Sequence, residues 1–151
     1  MDQQKSTASL RQYLKASGYS FTKQRRMVFD CLILNHPIAM HELLIKLNDS
    51  MDPVSVYRTI DLFEKLNIVQ RINFGWKYKL ELTDNFVNHH HHLLCLGCGK
   101  VININQAEIE TFIGYTAAKQ GFLASSHQLE IQGYCRSCLT EAKKTVNRRV
   151  V

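Results

Sequence analysis

The first half of the chain carries the spacing of apolar residues that amphipathic helices require. A first helix has Leu10, Tyr13 and Leu14 on one face, and Gly18 follows as a C-terminal stop. Thr22 can cap a second helix. The apolar residues of that helix are Met27, Val28, Cys31 and Leu32. A third helix is predicted from about Met40 through Leu47.

The fourth helix is the best marked of the series. Asp52 stands at the N-cap position and Pro53 at the first helical position. After this helix, residues 69–71 and 77–82 alternate between polar and apolar side chains on either side of the segment 73–76, which predicts a hairpin. Helices followed by a two-stranded hairpin are typical of a winged helix, whose last helix enters the major groove of DNA.

The second half has a different pattern. Residues 101–104 form a predicted strand, residues 106–120 a helix with Ile109, Phe112 and Ile113 facing inward, and residues 127–132 a second strand that contains His127. The sequence therefore predicts an α+β protein: a winged-helix domain at 1–83, a hinge at 84–88, and a small α/β domain at 89–151.

The charge balance adds a candidate partner. The chain has 19 Lys and Arg residues against 13 Asp and Glu residues, a formal charge of +6. This charge balance favours a polyanionic partner such as nucleic acid, although a net charge also commonly serves to keep a protein soluble.

No apolar run approaches the roughly 18 residues of a membrane span, and the polar N-terminus has no signal core, so we expect a cytoplasmic protein with no membrane partner. The basic residues Lys143, Lys144, Arg148 and Arg149 are interpreted as a solvated tail.

Two Cys-x-x-Cys pairs give the strongest chemical signal. Cys95 and Cys98 form the first pair, and Cys135 and Cys138 the second. In a reducing compartment two such pairs favour a closed zinc site with four thiolates over a disulfide framework or a redox pair. Cys31 lies on an apolar helix face and is interpreted as a core residue.

Four consecutive histidines precede the first cysteine pair. In an extended segment His89 and His91 would leave one side of the backbone, and His90 and His92 the other. Two separate metal sites could therefore form. From their places in the predicted elements, His127 and Glu110 are candidates to complete one of them, and Glu81 the other.

Several motifs together resemble the ferric uptake regulator family. They are the segments 22–26 (TKQRR), 55–60 (SVYRTI), 89–92 (HHHH) and 95–101 (CLGCGKV), followed by the second cysteine pair. The resemblance covers about Leu10 to Leu139. It implies a homodimeric winged-helix repressor that binds an AT-rich palindromic operator in double-stranded DNA when its regulatory metal is present.

The resemblance also assigns residues by position. The structural zinc takes the four cysteines. An accessory site within the dimerisation domain takes His89, His91, Glu110 and His127. The regulatory site takes Glu81, His90 and His92, with His36 as the ligand from the winged helix and His41 as its rival. The implied DNA-binding residues are Lys23, Arg26, Ser55, Tyr57 and Arg58.

The chain departs from the family pattern in ways that bear on the metal. His91 stands where iron-sensing members usually carry Asp, Asn103 replaces a frequent carboxylate, and Phe86 and Val87 resemble an insertion. Because imidazole suits zinc and iron whereas carboxylate suits manganese, Fe²⁺ or Zn²⁺ is expected as the regulatory metal, with iron placed first. Two enzyme classes, a zinc-dependent hydrolase and a thiol oxidoreductase, are weaker alternatives, because neither would use a wing and a helix bearing Tyr57 and Arg58.

Overall fold

A computed structural model of the chain describes residues 3–74 and 77–140. The chain divides into two compact units, residues 1–88 and 89–151. The first unit contains α1 (Gln3–Ala16), α2 (Lys23–Asn35), α3 (Met40–Leu47), α4 (Pro53–Lys65), β1 (Val69–Phe74) and β2 (Lys77–Leu82). The second unit contains β3 (His91–Cys95), β4 (Val101–Ile104), α5 (Ala107–Lys119) and β5 (Glu130–Gly133).

The helix starts in the first unit follow from side-chain caps. The hydroxyl of Thr22 accepts a hydrogen bond from the Arg25 N–H at 3.3 Å. The carboxylate of Asp52 accepts one from the Ser55 N–H at 3.0 Å, and Pro53 occupies the first turn. Each cap satisfies an N–H group that has no partner inside the helix. The predicted starts of α2 and α4 are confirmed.

The core of the first unit joins the helices to the hairpin. Its fully buried members include Leu14 of α1, Phe29 of α2 and Phe63 of α4. Leu80 and Leu82 of β2 enter the same core. Four helices packed on a two-stranded antiparallel sheet confirm the predicted winged helix.

The hairpin register decides which residues of the wing face the core. Val69 pairs with Leu82, and Gln70 pairs with Glu81 directly across the two strands. Since successive side chains of a strand point to opposite faces, Glu81 lies on the face away from Leu80 and Leu82. The predicted turn residues Gly75 and Trp76 lie outside the described residues.

Phe86 has a packing role in the first unit. It is 5% exposed and makes edge-to-face contacts with Tyr13 and Phe29, at ring-centroid distances of 5.6 and 5.3 Å. The segment expected to act as a hinge therefore has one side chain in the winged-helix core. The hinge itself stays a prediction.

The second unit is a three-stranded sheet with α5. The strand order is β4-β3-β5, with β3 antiparallel to β4 and parallel to β5. Residues 136–140 are helical. The predicted strand at 101–104 and helix at 106–120 are confirmed within a residue.

Two predictions in this unit were wrong. Phe112 was expected to face inward but is 69% exposed, because the half-buried face of α5 follows Ile109, Ile113 and Ala117 at four-residue spacing and Phe112 lies outside it. His127 was placed in the last strand, but β5 begins at Glu130, so this histidine lies in the preceding loop. The basic tail of Lys143, Lys144, Arg148 and Arg149 lies outside the described residues.

Within the described residues, no helix is long and apolar enough to cross a membrane.

Phe86→Ala should destabilise the winged helix strongly. Removal of a buried aromatic side chain leaves a cavity and costs about 3–5 kcal/mol. Urea unfolding followed by circular dichroism measures this loss. Tyr57→Ala, at a residue 47% exposed, is the matched control and should change stability by less than about 0.5 kcal/mol. Equal stability of the two variants would show that Phe86 does not belong to this core.

Candidate metal centres

The first centre joins two segments of the second unit that are far apart in sequence. Cys95 is the last residue of β3, and Cys98 lies in the turn that follows. Cys135 lies two residues beyond β5, and Cys138 lies in the helical segment 136–140. Because β3 and β5 are parallel neighbours, both pairs stand at the same end of the sheet.

The distances fit a zinc ion. The four sulfur atoms lie within 4.8 Å of one another, and the Cys98 and Cys135 sulfurs are 3.8 Å apart. Zinc bound tetrahedrally by thiolates has arms of about 2.3 Å, and the edges of that tetrahedron are about 3.8 Å. The Cys135 N–H also donates to the Cys95 sulfur at 3.2 Å, which stabilises a thiolate there.

The close turn of the first knuckle depends on Gly97. A Cβ atom at this position would lie 2.8 Å from the Cβ of Cys138 and 3.0 Å from its sulfur. Those distances are shorter than two carbon atoms, or a carbon and a sulfur, can tolerate. A glycine between the two cysteines therefore lets the second knuckle approach the first.

The thiols influence one another's pKa values. The Ser137 hydroxyl and the Cys138 N–H lower the pKa of Cys135 to about 6. The neighbouring Cys135 and Cys98 sulfurs raise the pKa of Cys138 to about 12. Four thiolates this close cannot all be charged without a cation between them. The donor set thus fits a zinc ion, which would be held by Cys95, Cys98, Cys135 and Cys138.

A second centre joins three imidazoles to one carboxylate in the same unit. His91 lies on β3, His89 just before it, Glu110 on α5, and His127 in the loop before β5. Their ligand atoms converge. The Nε2 atom of His91 is 2.8 Å from Oε1 of Glu110, and the Nε2 atoms of His89 and His127 are 3.1 Å apart.

These distances also suit a small divalent cation. The His127 Nε2 atom is 3.1 Å from the second carboxylate oxygen of Glu110. A tetrahedral ion with arms of about 2.0–2.1 Å to nitrogen and oxygen has ligand separations of about 3.3 Å. Burial acts to raise the pKa of Glu110, but the charges of His127, His89 and His91 and the hydrogen bond to His91 outweigh it and lower that pKa. The carboxylate is therefore ionised and available.

The winged-helix unit brings a further pair of metal-type ligands together. The Nδ1 atom of His36 lies 3.5 Å from Oε1 of Glu81, which is fully buried. A backbone bridge between Ile38 and Leu80 places the end of α2 beside β2. His41 is exposed on α3 and belongs to no metal-type cluster of the described residues. Of the two rivals, His36 is thus the one beside Glu81.

The remaining two histidines of the run lie together in the second unit. The rings of His90 and His92 are edge to face, with centroids 4.9 Å apart, and His92 is 5% exposed. His89 and His91 are likewise 4.9 Å apart by ring centroid. The structure thus separates the run into the two pairs that strand alternation suggests.

The helix expected to read DNA presents polar side chains to solvent. Tyr57 and Arg58 of α4 are both exposed, and Ser55 is half-buried in its first turn. On α2, Lys23 is exposed and Arg26 forms an ion pair with Asp30 at 3.3 Å.

Comparison with known proteins decides the family. The ferric uptake regulator family matches residues 16–132 of the chain. The chain belongs to this family. Among its relatives, the ferric uptake regulation protein of Shigella flexneri is 37% identical over 128 residues, which cover 81% of this chain and 85% of that protein.

Solved structures of ferric uptake regulators share the fold. The protein of Vibrio cholerae has a TM-score of 0.67 at 32% identity, covering 83% of this chain and 98% of that one. The protein of Helicobacter pylori has a TM-score of 0.77 at 24% identity, covering 92% of this chain and 95% of that one. As a member of this family, the protein is a metal-responsive, DNA-binding regulator of transcription. The comparisons give no support to the zinc-hydrolase alternative.

Sequence reasoning missed one polar contact beside these candidate ligands. Gln70 donates its side-chain N–H to Oε2 of Glu81 at 3.3 Å. The predicted hairpin contained the signal, since a correct cross-strand register pairs position 70 with position 81. The register depends on the turn length, which the alternation of residues alone does not fix.

Cys98→Ser should release the structural zinc and unfold the second unit, because binding of a structural metal and folding are one equilibrium. Metal analysis of the purified variant together with far-UV circular dichroism measures both losses. Cys31→Ser, which removes a thiol packed beside the first unit's core, should keep its full zinc content. Retention of zinc and fold by Cys98→Ser would exclude this four-thiolate site.

Proposed function

We propose that this protein represses metal-homeostasis genes as a homodimer whose DNA affinity is set by an Fe²⁺ ion. The observation that carries the proposal is the His36–Glu81 pair, which places one imidazole and one buried carboxylate side by side in the DNA-binding unit. Nitrogen and oxygen ligands of this kind suit divalent iron and zinc. The 37% identical relative named a ferric uptake regulation protein favours iron.

The regulatory site proposed here takes His36 and Glu81 from the winged helix, and His90 and His92 from the dimerisation domain. The two ligands from each domain, His36 with Glu81 and His90 with His92, already lie next to each other. Few side-chain rotamers therefore need to be ordered when the ion binds. A bound divalent ion would supply the positive charge that holds these ligands together. Ligands from both domains would favour one arrangement of the hinge over others, which is how a metal can change the affinity for DNA.

The accessory site proposed here consists of His89, His91, Glu110 and His127. All four belong to the second unit, so this cluster connects β3 to α5 and to the loop before β5. A metal held there would stabilise the dimerisation domain without crossing the hinge. The site would therefore support the response to metal rather than set its threshold.

The proposed homodimer is supported by apolar surface on the second unit. Ile102 of β4 and Ile131 of β5 are 41% and 49% exposed, and Phe112 and Tyr115 of α5 are 69% and 65% exposed. Exposed apolar residues in such number on a small unit are typical of a surface that another protein covers. A second copy of the chain would bury them.

The DNA contacts proposed here come from the winged helix. From α4 in the major groove, Tyr57 would contact base edges and Arg58 a phosphate, and Ser55, Lys23 and Arg26 would lie nearby along the backbone. Two copies related by a two-fold axis would read a palindrome, for which we propose the AT-rich operator implied by the family resemblance. The place of action is then the cytoplasm.

Zinc sensing is the second candidate for the regulatory metal. It is favoured by the proposed regulatory ligands themselves, because three imidazoles (His36, His90 and His92) and the Glu81 carboxylate are a nitrogen-rich set of four that suits tetrahedral zinc. DNA binding measured at buffered free Fe²⁺, Zn²⁺ and Mn²⁺ separates the two. Activation of DNA binding by Fe²⁺ at free concentrations found in cells supports iron sensing. Activation by Zn²⁺ and not by Fe²⁺ overturns iron sensing.

Substitution of the two histidine pairs should affect metal-activated DNA binding in different ways. Replacement of His90 and His92 by Ala should abolish metal-activated DNA binding and leave a stable zinc-loaded protein, because it removes only ligands proposed to cross the hinge. Operator binding by fluorescence anisotropy across a metal titration measures the first effect, and metal analysis the second.

The matched control replaces His89 and His91 by Ala. This variant should lower stability or blunt the response without moving the metal concentration at half-activation. Identical response curves for the two double variants would contradict the assignment of regulatory and accessory sites, as would a loss of activation only in the control.

Arg58→Ala should weaken binding to the operator and to unrelated DNA by a similar factor, and should make the affinity for DNA less sensitive to salt. A phosphate contact contributes about one unit to the slope of log affinity against log salt. Anisotropy titrations at several salt concentrations measure this slope. Lys119→Ala, which removes a positive charge from α5 in the other unit, should leave the slope unchanged. An unaltered slope for Arg58→Ala would place the phosphate contact elsewhere.

A further inference from the structure

The two oxygens of Glu81 have different neighbours. Oε1 lies 3.5 Å from the Nδ1 atom of His36, and Oε2 lies 3.3 Å from the side-chain nitrogen of Gln70. The backbone register places Gln70 directly opposite Glu81 on the adjacent strand, where side chains of an antiparallel pair meet. The wing thus orients this carboxylate from β1 while His36 approaches it from the end of α2.

In the Gln70 contact the side-chain N–H₂ of Gln70, and not its carbonyl oxygen, faces Glu81 and donates to its Oε2 atom. An amide nitrogen donates hydrogen bonds and a carboxylate oxygen accepts them. Glu81 is fully buried and Gln70 is half-buried. A buried carboxylate needs such a donor, and the hydrogen bond to Oε2 competes with any metal that would bind that oxygen.

We propose that Gln70 determines metal specificity by positioning Glu81, holding Oε2 so that only Oε1 is offered to the regulatory metal. This inference rests on the proposed regulatory site. Glu81 then acts as a ligand through one oxygen, so the site stays nitrogen-rich and favours iron and zinc, the two candidate regulatory metals, over manganese. Without the amide, both oxygens become available to the ion, and the site gains the extra oxygen ligand that manganese prefers.

The test compares Gln70→Met with the unaltered protein. Methionine has nearly the length of glutamine and no N–H donor, so the variant removes the hydrogen bond and little volume. Affinities for Zn²⁺ and Mn²⁺ are measured by competition with a metal-binding dye, on protein whose cysteine site already holds zinc. The metal binding that the unaltered protein shows and His36→Ala lacks is assigned to the regulatory site.

We expect zinc affinity at that site to fall about 10- to 100-fold, the usual cost of losing a partner that orients a metal ligand. Manganese affinity should change much less, so that the ratio of zinc to manganese affinity falls. Co²⁺ provides an independent readout: its visible absorption should weaken in Gln70→Met as the coordination number rises. Gln70→Ala is measured beside it in case the methionine variant does not fold.

Asn73→Ala is the matched control, because it removes an amide from an exposed position of the same strand, opposite Tyr78 and not Glu81. It should leave both affinities unchanged. An equal loss for zinc and manganese in the Gln70 variants, or no loss, overturns the role of Gln70. If instead His36→Ala leaves metal binding and activation intact, the proposed regulatory site itself is wrong.

Discussion

The convergence of the four thiols at one end of the sheet is the constraint on which the second unit depends. Of the residues 89–140 that the structure describes, only Leu94 and Cys95 are buried and apolar. A unit with so little apolar core needs another source of stability, and metal binding by a structural site is folding free energy. The parallel pairing of β3 with β5 is what brings Cys135 to Cys95, so the sheet and the proposed zinc site require each other.

The histidine run is anchored by the same cysteine pair. Because β3 ends at Cys95, the positions of His91 and His92 along the sheet are fixed by the zinc knuckle that follows them. Alternation along an extended segment then sends His91 towards Glu110 and His127, and groups His90 with His92. The zinc site would thereby order ligands of both proposed histidine sites, so that a single stretch of chain could contribute to the accessory site and to the regulatory site without mixing them.

The winged helix would contribute ligands to the proposed regulatory site from the face of β2 that is turned away from its core. The residues of β2 that enter the core are Leu80 and Leu82, and Glu81 between them is directed to the other side. There it meets His36 and Gln70, which come from the end of α2 and from β1. The wing is thus part of the winged-helix fold and also holds the Glu81 carboxylate. A metal bound to Glu81 would therefore act directly on the strand pair that follows α4, the proposed recognition helix.

The sequence by itself determined the family and the order of the elements, except for the central strand β3 (His91–Cys95) and the short helical segment 136–140, which it did not predict. Caps at Thr22 and Asp52, the alternation in the hairpin and the paired cysteines are local signals, and each depends on residues close together in the chain. Only the tertiary structure decided which of His36 and His41 lies beside Glu81, that Phe112 is exposed, that His127 lies in a loop, and that Gln70 donates to Glu81. These are outcomes of register and of packing between distant segments, and neither is fixed by the spacing of apolar residues along one segment.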